Sequence, residues 1–569
     1  MTATAKKPRV MNIVVGGEAG QGIDTLGFSL AKCLVRSGYR VVVTQSYLSR
    51  IRGGHNTFAI RVADTEIAAP QESIDLLVAL DNATADLHKD ELSEDGVVLV
   101  DAVSGSEGAP DRYVVPFGDL GGARLANVVA LGVVCSALGL AEDSVLQVLD
   151  DVFGGKDEAV LKKNREAIQQ AFAWAADNPS PIEPLPQSSG GGQALMLNGN
   201  EAIALGALSA GLRFLSFYPM TPATSICLTV IKHAEAMGVI VEQVEDEISA
   251  INMALGASFA GAPSMVATSG GGFALMTEGI SLAGQTETPI VVAVSQRPGP
   301  ATGLPTRTEQ GDLEFVLHGG HGEFPRAIFA PGSVEECFHL TRKAFELAEK
   351  YQSPVFVLTE QFLADSYRAV APFDVEGLPP VVAGCDVSDA NLPYLRFALT
   401  DSGVSPRLIP GATEHIVVAD SDEHTQDGRL TEDLDVRVQM VEKRLKKEEG
   451  LRSETIAPEW QGDEEPELLL VSWGSTKGAV GEAAGVLRGR GERVATLHFS
   501  QVWPLAPDQF LGRLENAQRV VCVEGNAMGQ LARLIRRETG FAMSSCIRRY
   551  DGLPVTPEYI LENLAKRES

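Results

Sequence analysis

Cysteine is scarce and scattered. The seven residues are Cys33, Cys135, Cys227, Cys337, Cys385, Cys522 and Cys546, and no two stand at CxxC spacing. This excludes a readable disulfide framework and a zinc or iron–sulfur ligand set. It leaves them as plain buried thiols. Long apolar runs are missing too: none approaches the ~20 residues that a helical membrane span needs. The opening MTATAKKPRVMNIVVGG passes from two lysines straight into a strand and a glycine turn. It has no apolar signal core or cleavage site, so a cytoplasmic location is expected. Positive charge is in short supply, with 47 Lys and Arg against 75 Asp and Glu and a formal charge of −28. That balance argues against nucleic acid and anionic membrane surfaces as partners. It suits simple solubility, or docking of a basic partner. Short-period repeats are absent, which excludes a solenoid.

What is present reads as soluble α/β protein. A length of 569 residues implies about three or four domains. The first block, 1–177, opens VMNIVV–GGEAGQG–IDTLGFSLAKCLVRSG–YRVVVTQ, a strand–turn–helix–strand order that predicts a mainly parallel sheet. NPSPIEPLPQSSGGGQ, 178–193, reads as an interdomain linker. In the second block, 194–375, the strand-like runs RFLSFY, VIVEQV, SMVATS, PIVVAVSQ and PVFVLTE alternate with helices in a doubly wound pattern. Residues 376–465 are irregular, and VRVQMVEKRLKKEEG within them predicts one amphipathic helix ended by Gly450. The last block, 466–569, returns to α/β alternation.

Several chemically useful groups follow strand ends, where ligands sit in doubly wound sheets. In YPMTPATS (218–225) Thr221 is a good helix N-cap and Pro222 a good first helical residue. The string either turns a strand into a helix or presents a hydroxyl to a carboxylate or ketone oxygen. In VEDEISA (244–250) the acidic trio Glu245, Asp246 and Glu247 opens a helix, which the helix dipole favours. Behind it Ala250, Ala254, Gly256, Ala257, Ala260 and Gly261 form a small-residue pattern that lets a second backbone approach, as at a subunit interface. Arg297 ends PIVVAVSQR, and it predicts either a structural ion pair or a carboxylate ligand for its planar fork. Gly270–Gly272 open a phosphate-cradle-like turn. Gly16, Gly17, Gly20 and Gly22 form another, without GxGxxG spacing, which either binds a nucleotide or coenzyme A phosphate or is a tight structural turn. His55, in RGGHN, could lie near that turn.

These strings resemble the 2-oxoacid:ferredoxin oxidoreductases over nearly the whole chain. GGEAGQG with YLSRIRGGHNTFAIRV is similar to the family's gamma domain. YPMTPATS, the Glu247 helix, TSGGGFALMTEG and VSQRPGPATGLPTRTEQGDL are similar to its alpha subunit, in the thiamine diphosphate pyrimidine-binding, transketolase-like domain. VSWGSTKGAV, HFSQVWPLAP and VVCVEGNAMGQLARL resemble the transketolase C-terminal-like domain, and TDSGVSPRLIPG with SDEHTQDGRLTEDLDVRVQMVEKRLKK resembles the 2-oxoglutarate branch. The resemblance implies a gamma–alpha fusion that is active only with a beta subunit holding Mg²⁺ and a 4Fe–4S cluster. It implies that Glu247 contacts the aminopyrimidine of thiamine diphosphate and that Thr221 and Arg297 bind the 2-oxoacid. Gly17, Gly20 and Gly22 are the candidates for a coenzyme A or phosphate contact, in a string that departs from the more usual GxGGQG of that domain. The reaction implied is reversible oxidative decarboxylation of 2-oxoglutarate with coenzyme A to succinyl-CoA, CO₂ and reduced ferredoxin, in a (gamma–alpha/beta)₂ heterotetramer. Arg307, His318, His321 and Arg407 are candidates for a distal carboxylate. The alternatives are the same chemistry on pyruvate or another 2-oxoacid, or a non-catalytic nucleotide-binding scaffold.

Overall fold

The structure, a computed structural model, describes residues 10–47, 54–102, 112–155, 157–188, 193–379, 381–384 and 393–566. Cys385, the SGGG of the expected linker (189–192) and Arg52 and Gly53 of RGGHN lie outside the described residues. The chain divides into two compact units. The first takes in the described residues to 197, with 366–373 and 556–558.

Its sheet has eight strands. Arg112–Val115, Leu92–Asp101, Ile74–Ala79 and Val10–Glu18 run parallel. His55–Ala63, Arg40–Ser46, Arg368–Val370 and Leu195–Leu197 continue it antiparallel. The sheet is therefore half parallel rather than mainly so. Residues 47–54, between Arg40–Ser46 and His55–Ala63, are too few for the crossover of a dozen or more residues that a parallel pair requires. Val10–Glu18 is buried on both faces. Ile13 and Val15 join the main core, and Val14 joins a smaller cluster with Leu77 and Val98. That two-sided burial accounts for its unbroken apolar run. Helix Ile23–Arg36 comes close to this sheet at Gly27, where a Cβ would lie 2.3 Å from the Phe58 ring.

The expected linker is strapped down instead of free. Ile182 and Leu185 are buried, Tyr39 OH donates to Pro186 O at 2.8 Å, and Ser188 Oγ donates to Gly38 O at 2.8 Å. Its prolines leave few backbone donors to satisfy, and its apolar side chains find the core.

The second unit comprises 198–365, 374–555 and 559 onward. A seven-stranded sheet runs in the order Gln501–Trp503, Ala327–Phe329, Pro354–Glu360, Ile290–Gln296, Ser264–Thr268, Phe214–Phe217, Ile240–Gln243. Only Gln501–Trp503 is antiparallel to its neighbour. A five-stranded sheet is built from Glu459–Gly462, Val494–Phe499, Leu468–Trp473, Arg519–Glu524 and Ser545–Arg548. One apolar core joins the two sheets, with Ile251, Val292 and Phe356 in the same cluster as Val471, Trp473 and Leu531.

The helix expected to stop at Gly450 runs from Leu434 to Ser453, and its buried face carries charge. Met440, Lys443, Arg444, Lys447 and Leu451 point inward. Lys443 Nζ lies 2.7 Å and Lys447 Nζ 2.8 Å from the carboxylate of Glu287, which is fully buried. Arg396 donates to Glu287 O at 2.8 Å. Burial pushes the Glu287 carboxyl up, but Lys447, Lys443 and Arg396 hold it well below the usual carboxylate range. Burial in turn brings Lys443 down to about 8 against the pull of Glu287. Arg444 forks onto Glu423 at 3.0 and 2.9 Å. These pairs clamp the irregular segment 393–453 onto the unit. Removing one partner of such a cluster typically costs about 3–5 kcal/mol, because the remaining charges stay buried. Glu287→Gln is expected to lower unfolding stability by about that amount, and replacing Glu287, Lys443 and Lys447 together by Met to recover most of it. Denaturant titration of the three proteins checks this.

Candidate functional site

The site gathers at the carboxyl ends of the parallel strands of the seven-stranded sheet. Beyond Phe214–Phe217 the chain enters YPMTP, and the Thr221–Pro222 peptide is cis. The next helix is Thr224–Met237, so Thr221 is not its N-cap and Pro222 is not its first residue. The carbonyls of both are held by side chains rather than by the helix. Arg297 Nη1 donates to Thr221 O at 2.7 Å, and Asn200 Nδ2 to Pro222 O at 2.8 Å. The Thr221 hydroxyl has no hydrogen bond among the described residues.

Glu247 is the first residue of helix Glu247–Phe259, where Asp246 Oδ1 accepts from Ser249 N at 2.7 Å as the cap. Glu245 is exposed, whereas Glu247 is only 3% exposed and its Oε1 has no hydrogen-bond partner. Helix Gly270–Gln285 passes directly beneath it. A Cβ on Gly272 would lie 2.0 Å from Thr268 Oγ1 and 2.6 Å from Glu247 Oε1, so only glycine fits there. Thr268 Oγ1 in turn lies 3.9 Å from Met220 Sδ, which links Glu247 to the YPMTP loop. Ser269 Oγ, beside them, is buried without a partner.

Arg297 follows Ile290–Gln296 and is half-buried, and its hydrogen bond to Thr221 O is its only one among the described residues. Burial lowers its pKa, and Asp312 opposes that shift. Burial raises the Asp312 carboxyl to about 6, with Arg297 pulling the other way. The structure thus brings Thr221 and Arg297 into direct contact and sets Glu247 at the same rim. Asp312, Thr268 and Asn200 are additions that motif reading missed. Only the string TRTEQGDL, already singled out, held a trace of Asp312.

The other candidates fall elsewhere. Arg407 is buried in an ion pair with Glu349 and donates to Ser258 O at 3.1 Å. His318 Nε2 lies 2.9 Å from Arg537 Nη1, and the His321 backbone N–H donates to Ser281 Oγ at 2.7 Å. Arg307 packs beside Gly552. In the first unit the Gly16–Gly22 turn closes on itself. Glu18 N donates to Gln21 Oε1 at 2.8 Å and to Asp81 Oδ2 at 3.0 Å. A Cβ on Gly17 would strike Gln21 Oε1 at 2.3 Å, and Gly20 and Gly22 have φ of 105° and 83°. Asp81 also caps helix Asn82–Leu87, its Oδ1 accepting from Thr84 N at 2.8 Å. His55 Nε2 lies 2.7 Å from His88 Nε2, whose ring is held by Glu91 at 2.7 Å. Among the described residues no cluster of His, Cys, Asp and Glu could hold a metal ion, and no helix is long and apolar enough to cross a membrane.

Known proteins share this architecture. A family model described as "Pyruvate flavodoxin/ferredoxin oxidoreductase, thiamine diP-bdg" matches residues 205–443, and one described as "Pyruvate ferredoxin/flavodoxin oxidoreductase" matches 12–174. The 2-oxoacid:ferredoxin oxidoreductase subunit alpha of a Sulfolobus species is 31% identical, across 97% of this chain and 96% of that protein. The 2-oxoglutarate oxidoreductase subunit KorA of Mycobacterium tuberculosis is 29% identical, across 94% of this chain and 88% of that protein. A solved structure of 2-oxoglutarate:ferredoxin oxidoreductase from Magnetococcus marinus, with 2-oxoglutarate, coenzyme A and succinyl-CoA bound, superposes with a TM-score of 0.92. It is 31% identical and covers 99% of this chain and 100% of its own. These matches show the family: the chain belongs to the 2-oxoacid:ferredoxin oxidoreductases, as an alpha subunit with a thiamine diphosphate-binding domain.

Proposed function

We propose that this chain is the gamma–alpha fused subunit of a 2-oxoglutarate:ferredoxin oxidoreductase, converting 2-oxoglutarate and coenzyme A reversibly to succinyl-CoA, CO₂ and reduced ferredoxin. Residues 1–177 form its gamma domain, 194–375 its pyrimidine-binding domain and 466–569 its transketolase C-terminal-like domain. The observation that carries the reading is the orphaned Oε1 of Glu247, a buried acceptor without a hydrogen-bond partner. Thiamine diphosphate fits this donor set, and when bound it supplies the carbon nucleophile and electron sink for decarboxylating a 2-oxoacid. Glu247 Oε1 hydrogen-bonds the aminopyrimidine and holds a proton shared with it. The Arg297 fork binds the substrate carboxylate, and the Thr221 hydroxyl donates to the carbonyl oxygen. Choice of 2-oxoglutarate is supported by the ligands in the Magnetococcus structure and by the KorA relatives.

The face around Glu247 is unfinished within this chain. Ile248 and Met253 on its helix, Leu275 on the helix beneath, and Leu228 and Ile231 on Thr224–Met237 are exposed. Gly256 faces open space. We read this face as the seat of a beta subunit carrying Mg²⁺, the 4Fe–4S cluster and the docking site for ferredoxin, in a (gamma–alpha/beta)₂ assembly. Small residues let the partner's backbone approach, and the apolar rim drives the association.

The chain, pulled from its own cells without oxygen, is expected to bring a beta subunit with it. The complex should reduce viologen in a coenzyme A-dependent way with 2-oxoglutarate and not with pyruvate. Reduction with pyruvate alone would move the enzyme to another branch, and reduction with neither would overturn the assignment. Glu247→Gln is expected to leave the assembly intact and lower turnover by ~10²–10⁴-fold, the usual worth of a positioned acid–base group. Near-normal turnover would remove Glu247 from the chemistry.

A further inference from the structure

Asp312 is held as firmly as any group at the site, and the reaction as described gives it no role. Its backbone N–H donates to Gln296 Oε1 at 2.9 Å, and Gln296 immediately precedes Arg297. Its carboxyl group lies flat on Gly270, the first residue of the helix beneath Glu247. A Cβ at position 270 would fall 2.4 Å from Oδ2 and 2.6 Å from Oδ1 of Asp312. Both oxygens occupy the space that a Cβ would take, so only glycine permits this seat.

The charges around it are few. Arg297 is the cation it feels, without a direct ion pair among the described residues. Glu309, half-buried nearby, is raised by burial and then by Asp312. Glu247 stands over Gly272, two residues along the helix that Asp312 covers. Gln296, which accepts from the Asp312 backbone N–H, is uncharged. The Arg297 guanidinium has N–H donors to spare, because its only hydrogen bond goes to Thr221 O.

We propose that Asp312 is the resident counter-ion of Arg297, a positioning residue that takes up one proton from solvent when a substrate carboxylate seats on the guanidinium. The inference rests on the reading of Arg297 as the carboxylate anchor. Without substrate, Asp312 balances Arg297 and keeps its fork turned toward the rim. A second carboxylate arriving at the same guanidinium repels the first, and with both acids beside one partly buried cation the weaker acid takes up a proton. The carboxyl of a 2-oxoacid is the stronger acid, so the proton goes to Asp312. No bond other than that O–H forms or breaks.

The sign of the linkage follows. Below about pH 6 Asp312 is already protonated in the free site, and substrate binding is indifferent to pH. Above that value each bound substrate draws in one proton, so KM rises with pH, approaching tenfold per unit.

The test uses the assembled complex, with kcat and KM for 2-oxoglutarate measured from pH 5.5 to 8.5. The wild type is expected to show a KM that is flat below about pH 6 and climbs above it, with kcat far less affected. Asp312→Asn is expected to flatten the KM profile and to lower KM at pH 8 by more than tenfold relative to the wild type. Asp312→Ser, smaller and also neutral, carries the same test should the Asn variant fail to assemble. A variant that keeps the wild-type slope, or that loses kcat with the KM profile unmoved, would overturn the proposal and leave Asp312 as packing on Gly270. Arg297→Lys separates the two readings. A KM unchanged by that substitution would sink the anchor itself, whatever Asp312 does.

Discussion

Burying a carboxylate oxygen without a partner costs about 1–3 kcal/mol or more, and proteins rarely leave one so. Glu247 Oε1 is such an oxygen, and its neighbours keep it there. Asp246 caps the helix so that Glu247 is spared that task. Gly272 clears the volume that the carboxyl group and Thr268 occupy together. The strand ends Phe217, Thr268 and Gln296 bring Thr221, the glycine helix and Arg297 to the same rim. Each of these choices is local, but together they leave a buried acceptor without a partner among the described residues.

A second layer fixes the rim from behind. Gln310 Nε2 donates to Trp473 O at 2.9 Å and to Glu360 Oε1 at 3.2 Å, and Gly525 N donates to Gln310 Oε1 at 2.8 Å. The five-stranded sheet thus grips the loop that carries Asp312. Glu360 ends its strand in register with Gln296, and burial raises it to about 7 against hydrogen bonds from Ser475 and Gln310. The C-terminal sheet therefore bears on the site through amide side chains rather than by contributing reactive groups.

Charge is distributed in an unexpected way. The chain is strongly acidic, yet it spends scarce cations in its interior: Arg396, Arg407, Lys443, Arg444 and Lys447 are all buried. Their partners are Glu287, Glu349 and Glu423. This is why the strings that resemble the 2-oxoglutarate branch turn out to be clamps. TDSGVSPRLIPG carries Arg407 and VRVQMVEKRLKK carries the lysines, and neither places a cation at the rim. Near Thr221 the available cation is Arg297, so its counter-ion matters more than the net charge of the molecule suggests.

The α/β class, the strand–helix alternation, the helix that begins at Glu247 and the glycines of the helix beneath it are all legible in the residues alone. Such features are local: alternation, caps and glycine turns depend on neighbours within a few residues. The sequence also points to Thr221, Glu247 and Arg297, because each follows an apolar strand-like run. The rest depends on contacts between residues far apart in the chain. Half of the first sheet is antiparallel, and residues 182–188, which read as linker, are packed against the first unit. Lysines that pattern alone would leave in water are inside, because Glu287 waits 156 residues from Lys443. Thr221 is not a helix cap, because Arg297, 76 residues away, claims its carbonyl. Asp312 reaches Gly270 and Gln296 only once the ends of Ser264–Thr268 and Ile290–Gln296 lie side by side. Pairings of buried charge and contacts through a missing Cβ are settled by groups far apart in the chain, and no window of sequence contains both partners.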